Sequence, residues 1–333
     1  MSYQSFEQVL QKCHAEEKEF WRVILEDDMA ERNVSEEDSM EHMRATWDAM
    51  LLAAATYEGN LNSSSGLVGG DGRRMEEYTH SAGTESLCGE YVDTCIAGAL
   101  QMGESNACMK RIVAAPTAGA CGVLPAVLVP YFQKRCKDTD KILKAMYVAA
   151  GIGQIIATRS SISGAAGGCQ AEIGAASSMA AGALVYLQGG DCTQIATAAA
   201  MAMKNLLGLV CDPVAGLVEV PCVKRNVIGT VNAMSAADMA MAGITSRIPP
   251  DQVMDAMKEV GDKMDASLRE TALGGLARTE EGMKIAEKMH SLVENEELMN
   301  EMSSNELQIN DLLEKRIIVQ QWIQFLMKIL EKN

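Results

Sequence analysis

The spacing of apolar residues along the chain predicts helices and few strands. Across residues 36–57, apolar side chains recur every three to four positions, which places them on one face of a helix. Three later segments, at about 142–158, 171–187 and 193–209, are apolar nearly all round, as is typical of helices buried in a core. Runs that alternate β-branched or aromatic residues with polar ones are scarce. The pattern therefore predicts an all-α protein.

Short segments rich in Gly and Pro separate the predicted core helices. They lie at residues 115–122, 163–170 and 211–216, and a longer set of turn-forming residues occupies 57–72. That longer stretch is too apolar and too regular for a linker, so we interpret it as a binding loop. Because these interruptions recur throughout one region, we expect the loops to converge on a common site.

Three regions follow from this organisation. We assign residues 1–58 to an N-terminal helical arm, 59–282 to a large central helical domain, and 283–333 to a C-terminal helical tail. The tail carries an apolar face that is expected to dock either on a partner or on the chain's own core. Its residues are Ile317, Ile318, Trp322, Phe325, Leu326 and Leu330.

Composition and charge narrow the possible functions. The formal net charge of −16 argues against binding to nucleic acid, which needs a basic surface, and against an anionic membrane surface. The uncharged run at 112–133 has transmembrane length, but its three prolines would break a spanning helix. The N-terminus is polar, and the ten cysteines suggest a reducing compartment. We therefore expect a cytoplasmic protein.

Three of the cysteines have unusual surroundings. Cys169 follows a glycine-rich turn, Cys211 precedes an Asp-Pro pair, and Cys222 directly follows Pro221. Turns of this kind have backbone N–H groups nearby, which suits a thiolate bound to metal. The chain contains no C-x-x-C spacing, so zinc fingers and ferredoxin-type cysteine runs are absent. Residue types alone leave two interpretations open, a metal site or three structural cysteines.

Several long motifs resemble the alpha chain of the iron–sulfur L-serine dehydratases. The resemblance extends over roughly residues 40–282 and follows the order and spacing of that family. The motifs are NSSSGLVGGDG (62–72), AAPTAGACGVLP (114–125), SGAAGGCQAEIGAASSMAAGA (163–183), CDPVAGLVEVPCVKRN (211–226) and SLRETALGGLARTEEG (267–282).

The resemblance implies a catalytic role for the central domain and a [4Fe-4S] cluster held by the thiolates of Cys169, Cys211 and Cys222. Three thiolates leave one iron open to bind the substrate hydroxyl as a Lewis acid. The implied enzyme is a carbon–nitrogen lyase that converts L-serine to pyruvate and ammonia. Some family members guard the open iron with a cysteine at the chain end, but this chain ends without one, so we expect no such self-capping.

Two loops match family motifs and offer hydroxyl and N–H groups for the substrate carboxylate. The predicted substrate-binding residues are Ser63, Ser64, Ser65, Gly66, Thr117, Ala118, Gly119 and Lys224. The family usually has Ser where this chain has Ala120, which removes one hydrogen bond from the second loop. Of the four histidines, His80 follows the glycine loop and is our candidate for the catalytic base, although a partner chain is an alternative source.

Other functions remain to be weighed against the dehydratase. An L-cysteine desulfidase would use the same open iron to expel sulfide, and a non-catalytic cluster protein would act as a sensor. We expect no pyridoxal phosphate, because core lysines are scarce and no tetraglycine loop is present. The family occurs either as single chains or as alpha and beta chains, and residues 1–60 leave no room for a further α/β domain. We therefore expect a beta chain as partner, within a higher oligomer.

Overall fold

A computed structural model describes residues 3–81 and 85–293 of the chain, and within these ranges the fold is all-α, as predicted. The described residues form thirteen α-helices and no strand of a sheet. The helices are α1 Phe6–Glu16, α2 Phe20–Arg32, α3 Glu36–Ala55, α4 Asp71–His80, α5 Gly89–Ala107, α6 Val123–Tyr131, α7 Thr139–Arg159, α8 Gly164–Gly167, α9 Ala175–Leu187, α10 Cys192–Lys204, α11 Cys222–Met241, α12 Pro250–Lys263 and α13 Glu280–Val293.

The chain divides into two compact units, one spanning Met1–Arg278 and one beginning at Thr279. Helices α1 to α12 belong to the first unit, and α13 belongs to the second. The apolar face predicted for residues 317–330 lies outside the described residues. The boundaries expected from sequence at 58 and 282 stay predictions.

Helix α9 forms the centre of the first unit. It packs against α6, α7, α10 and α11, and nearly all of its residues are buried. Small side chains allow this close packing: a Cβ added at Gly182 would lie 2.2 Å from the Cδ1 atom of Ile152 on α7. The Ala- and Gly-rich composition therefore serves close helix contact in the core.

The first three helices cover one side of this core. Ser5 caps α1 by accepting the N–H of Gln8, and Ser35 caps α3 by accepting the N–H of Asp38, so both helices begin where a side-chain acceptor satisfies a free donor. The periodic segment predicted at 36–57 is observed as α3. Its Trp47 is buried and meets the ring of Phe132 edge to face, with ring centroids 5.5 Å apart.

Two of the predicted core helices differ from the observed ones at one end. The segment expected at 171–187 starts with a π-helical turn before α9, and the segment expected at 193–209 ends as α10 at Lys204. The early end goes with a tertiary contact, since Gly208 adopts a left-handed φ of +86° and donates its N–H to the side chain of Gln170. The chain is thereby turned towards Cys211.

The uncharged run at 112–133 is part loop and part helix, with α6 taking up only its second half. Within the described residues, none of the helices combines the length and the apolar character that a membrane span requires.

Candidate metal centre

Cys169 lies at the junction between a glycine turn and the π-helical turn that leads into α9. Gly168 before it has a φ of +74°, which glycine adopts without steric cost. The side chain of Gln170 after it is fully buried, donates to the carbonyl of Met257 and accepts the N–H of Gly208. The Cys169 thiol is therefore placed by hydrogen bonds to separate parts of the chain.

Cys211 and Cys222 are positioned by different backbone devices. The N–H of Cys211 donates to the carbonyl of Leu268 at 2.8 Å, and its carbonyl accepts the N–H of Glu270 at 2.7 Å. This isolated bridge joins Cys211 to the segment after α12. Cys222 is the first residue of α11 and follows Pro221, so its sulfur lies at a helix N-terminus, where a thiolate is favoured.

The thiols of Cys169 and Cys211 meet in a buried site. Their Sγ atoms and a carboxylate oxygen of Glu172 all lie within 4.8 Å of one another. The hydrogen bond between the two sulfurs lowers the pKa of Cys169 and raises the pKa of Cys211, which keeps the shared proton. Burial, together with the charges of Cys169 and Glu172, raises the pKa of Cys222 to about 12. Cys222 is thus close enough to feel these charges, but it is not part of the group within 4.8 Å, and its role as the third ligand stays a prediction.

Arg225 supplies the positive charge of this site. Its charge adds to the larger effect of Cys211 in lowering the pKa of Cys169, and two of its nitrogens donate to the carbonyl of Val210 at 2.7 Å and to Asp212 at 2.8 Å. Both side chains of the Arg225–Asp212 pair are buried, with 14% and 4% of their surface exposed. Asp212 also accepts the N–H of Leu276, so the segments that flank Cys211 are linked through one ion pair.

Glu172 connects the cysteines with the loop that contains Thr117. The Thr117 hydroxyl donates to Glu172 at 2.8 Å, while burial raises the pKa of Glu172 and the charge of Glu270 raises it further. The site is narrow here, since a Cβ added at Gly164 would lie 2.8 Å from Glu172 Oε2, 3.1 Å from Cys211 Sγ and 3.2 Å from Glu270 Oε2. Only glycine leaves this space free.

Two other residues of the same loop approach Cys222. Ala118 and Gly119 line a small cleft together with Cys222 and Asn226. The side chain of Asn226 holds the cleft together, because it donates to the carbonyls of Gly119 and Cys222 and accepts the N–H of Gly122 at 2.8 Å. The structure therefore brings the second predicted substrate loop next to the predicted ligands.

The serine loop reaches the same region through Glu219. The hydroxyls of Ser63 and Ser65 both donate to Glu219 Oε2, at 2.8 and 2.5 Å. Ser64 and Gly66 are exposed, and Gly66 has a left-handed φ of +74° that makes the turn. Glu219 belongs to the segment between Cys211 and Cys222, so this loop lies against the backbone that carries two of the cysteines.

The remaining two predicted residues lie elsewhere. Lys224 is an exposed side chain whose ammonium pairs with Asp71 at 3.2 Å, at the end of the glycine loop. His80 is exposed at the end of α4, bonds the carbonyl of Glu76, and lines a pocket of about 210 Å³ that includes none of the three predicted cysteine ligands. Among the described residues, no hydrogen bond joins His80 to the three cysteines, so its role as a base stays a prediction.

Sequence reasoning did not single out four polar residues that organise the site, namely Gln170, Glu172, Glu219 and Asn226. Each lies inside a motif quoted for the family resemblance, and each is a polar side chain in a largely apolar stretch. That combination is the signal that was available, because a buried polar side chain needs a specific partner.

Comparison with known proteins gives a consistent result. Residues 15–277 match the family described as "Serine dehydratase alpha chain". The chain is 45% identical over 267 residues to the probable L-serine dehydratase, alpha chain, of Bacillus subtilis (strain 168), covering 80% of this chain and 88% of the relative. It is 40% identical over 282 residues to the L-serine dehydratase, alpha chain, of Peptoniphilus asaccharolyticus, covering 84% and 95%. The L-serine dehydratase of Haemophilus influenzae is 37% identical over 283 residues, covering 83% of this chain and 61% of the relative.

Proposed function

Because the chain belongs to the serine dehydratase alpha chain family, we propose that it is the alpha chain of a lyase that converts L-serine to pyruvate and ammonia. The reaction removes the α proton and the hydroxyl of serine as water. The resulting enamine tautomerises to an imine, which takes up water and releases ammonia. The observation on this chain that carries the proposal is the meeting of the Cys169 and Cys211 thiols in one buried site.

The cofactor that we propose is a [4Fe-4S] cluster bound by Cys169, Cys211 and Cys222. The donor set fits it, since cysteine thiolates are the usual cluster ligands, and the space kept free at Gly164 is one that a Cβ would fill. When bound by three thiolates, such a cluster supplies an iron with an open position that acts as a Lewis acid on the substrate hydroxyl.

The protein's own residues prepare the thiolates. The pKa of Cys169 is lowered by Cys211 and further by the charge of Arg225, which favours the deprotonated form that binds metal. Cys222 differs, because burial raises its pKa to about 12, and its thiolate would form on binding the metal.

We assign substrate binding to the two loops that approach this site. The loop with Thr117, Ala118 and Gly119 contacts both Glu172 and the cleft beside Cys222, which supports a role in holding the serine substrate. In the serine loop, Ser64 is the exposed hydroxyl, since those of Ser63 and Ser65 donate to Glu219. A loop N–H or hydroxyl is a suitable donor to a carboxylate.

The assembly that we propose includes a beta chain. The two relatives named alpha chains are matched over 88% and 95% of their length, whereas the longer Haemophilus influenzae relative is matched over 61%. This difference supports a division of the enzyme between two chains, with a higher oligomer as the working form. We place the enzyme in the cytoplasm, where a reducing environment preserves the ten cysteines as thiols.

The decisive experiment is anaerobic reconstitution with iron and sulfide, followed by iron analysis and a serine-to-pyruvate assay with and without the beta chain. We expect about four irons per chain and pyruvate formation from L-serine, with L-cysteine as the competing substrate. Cys211→Ala is expected to lose iron binding and pyruvate formation. The control is Cys95→Ala, which changes a buried cysteine of α5 and is expected to keep iron binding and pyruvate formation. Iron binding without pyruvate from the complete assembly would contradict the proposed activity.

A further inference from the structure

Glu219 is a buried carboxylate that joins two distant parts of the chain. Only 8% of its surface is exposed, and it lies three residues before Cys222. Its Oε2 atom accepts hydrogen bonds from the hydroxyls of Ser63 and Ser65, which precede it by more than 150 residues. Hydrogen bonds to a charged acceptor are stronger than neutral ones, so this contact dominates the local geometry.

The same two hydroxyls also organise their own loop. Ser63 Oγ accepts the N–H of Val68 at 3.2 Å, and Ser65 Oγ accepts the N–H of Leu67 at 3.1 Å. The two Oγ atoms also lie 3.0 Å apart, so Ser63, Ser65 and Glu219 form one hydrogen-bonded network in which the carboxylate is the acceptor. The carboxylate therefore fixes the rotamers that shape the turn, and it leaves the Ser64 hydroxyl as the exposed one of the three.

We propose that Glu219 is a positioning residue for substrate binding, which holds the loop from Ser63 to Gly66 against the segment that carries Cys211 and Cys222. It acts through the loop and does not itself contact the substrate. This inference rests on the proposed function and assigns binding of the L-serine carboxylate to the serine loop. Fixing the loop in advance lowers the entropic cost of binding that anion.

The test uses the full chain, reconstituted anaerobically and assembled with its beta chain, as wild type, Glu219→Gln, Ser65→Ala and the double variant. Asp28→Asn is the matched control, because Asp28 accepts the Ser39 hydroxyl at 2.5 Å in the N-terminal arm. Three quantities are measured: KM and kcat for L-serine, iron per chain, and amide hydrogen exchange of residues 62–72.

Glu219→Gln is expected to raise KM for L-serine about tenfold, with a much smaller change in kcat, to accelerate exchange at residues 62–72, and to leave iron per chain unchanged. Ser65→Ala should give the same pattern, and the double variant should add little, because both single changes break one network. Asp28→Asn should change neither KM nor loop exchange.

Unchanged KM and unchanged loop exchange in Glu219→Gln would overturn the inference, as would a loss of iron, which would assign Glu219 to the support of the cluster. If Glu219→Gln does not fold, Ser65→Ala decides by the same criteria. Failure of the proposed function is distinguished by the wild type. If wild type forms no pyruvate, the proposed activity is rejected, while the exchange measurement still decides whether Glu219 holds the loop.

Discussion

The guanidinium of Arg225 forms an ion pair with the buried carboxylate of Asp212 at 2.8 Å, and its charge also acts on the thiol of Cys169. Asp212 directly follows Cys211 in the chain, so a single arginine links the surroundings of two cysteines. Its planar fork of donors reaches the Asp212 carboxylate and the Val210 carbonyl at once. Structural and electrostatic roles therefore coincide in this residue.

Replacement of Arg225 by Gln should destabilise the chain even without a cofactor. The change leaves the buried carboxylate of Asp212 without its counter-ion, which should lower the free energy of unfolding by about 3 kcal/mol. Urea unfolding of the metal-free chain, followed by circular dichroism, measures this loss. Arg159→Gln breaks the pair with the exposed Asp255 and should cost under about 1 kcal/mol. Equal losses in the two variants would contradict the role given to the buried pair.

Gly164→Ala should reduce iron binding while the helical fold is kept. The added Cβ would lie 3.1 Å from Cys211 Sγ and 2.8 Å from Glu172 Oε2, within the space assigned to the cofactor. Iron per chain after anaerobic reconstitution is the measurement. The matched control is Gly98→Ala in α5, where a Cβ meets Ala126 only at 3.5 Å, an ordinary contact. Full iron occupancy in Gly164→Ala would show that the cofactor does not use this space.

Thr117→Val should lower the stability of the metal-free chain, because Glu172 would lose its 2.8 Å hydroxyl donor in a buried position. The expected loss in unfolding free energy is about 1–3 kcal/mol, the usual cost of leaving a buried polar group unsatisfied. Thr117→Ser retains the hydroxyl and should recover most of this loss. A valine variant as stable as wild type, beside a less stable serine variant, would indicate that the methyl group, and not the hydrogen bond, matters.

Asp27→Asn should stabilise the chain near neutral pH. Burial raises the pKa of Asp27 above its ordinary value, so the folded state holds this proton more tightly than the unfolded state does. The stability of wild type relative to Asp27→Asn is therefore greatest below the ordinary aspartate pKa. This relative stability decreases as pH rises through the raised pKa of Asp27. Unfolding free energies of both proteins between about pH 4 and 7 measure the difference.

Asp38→Asn provides a control of opposite sign. Hydrogen bonds from Ser35 lower the pKa of Asp38, so its contribution to stability is present above the ordinary aspartate pKa and is lost as pH falls through the lowered value. The asparagine variant should therefore be less stable than wild type at neutral pH. The same pH trend in both variants would show that the two carboxylates do not act through their ionisation.

The fold was largely predictable because the local spacing of apolar residues indicates where its helices lie. The apolar period of residues 36–57 predicts the helix observed as α3, and the segment expected at about 142–158 is observed within α7, Thr139–Arg159. The early end of α10 was not predictable, since it depends on the contact between Gly208 and Gln170, which are far apart in sequence. Periodicity reports the faces of helices, whereas tertiary contacts decide where helices end.

The sequence predicts three cysteine ligands, of which the structure brings the thiols of Cys169 and Cys211 together, but it does not indicate the polar partners of the site. The turns around Cys169, Cys211 and Cys222 are recognisable in the sequence by their Gly and Pro residues. The contact between Ser65 and Glu219 cannot be inferred from spacing, because neither residue has a local pattern that refers to the other. Lys224 was predicted to bind substrate, yet on α11 it pairs with Asp71, while its neighbour Arg225 pairs with Asp212 beside Cys211. Adjacent helical positions lie about 100° apart, so a neighbour in sequence faces another direction.

The bridge between Cys211 and residues 268–270 limits how far this polypeptide can be shortened. Any truncation that removes the stretch after α12 deletes the partners of both backbone groups of Cys211. A minimal fragment for crystallisation or directed evolution must therefore extend beyond Glu270, even though that stretch contributes no cysteine of its own.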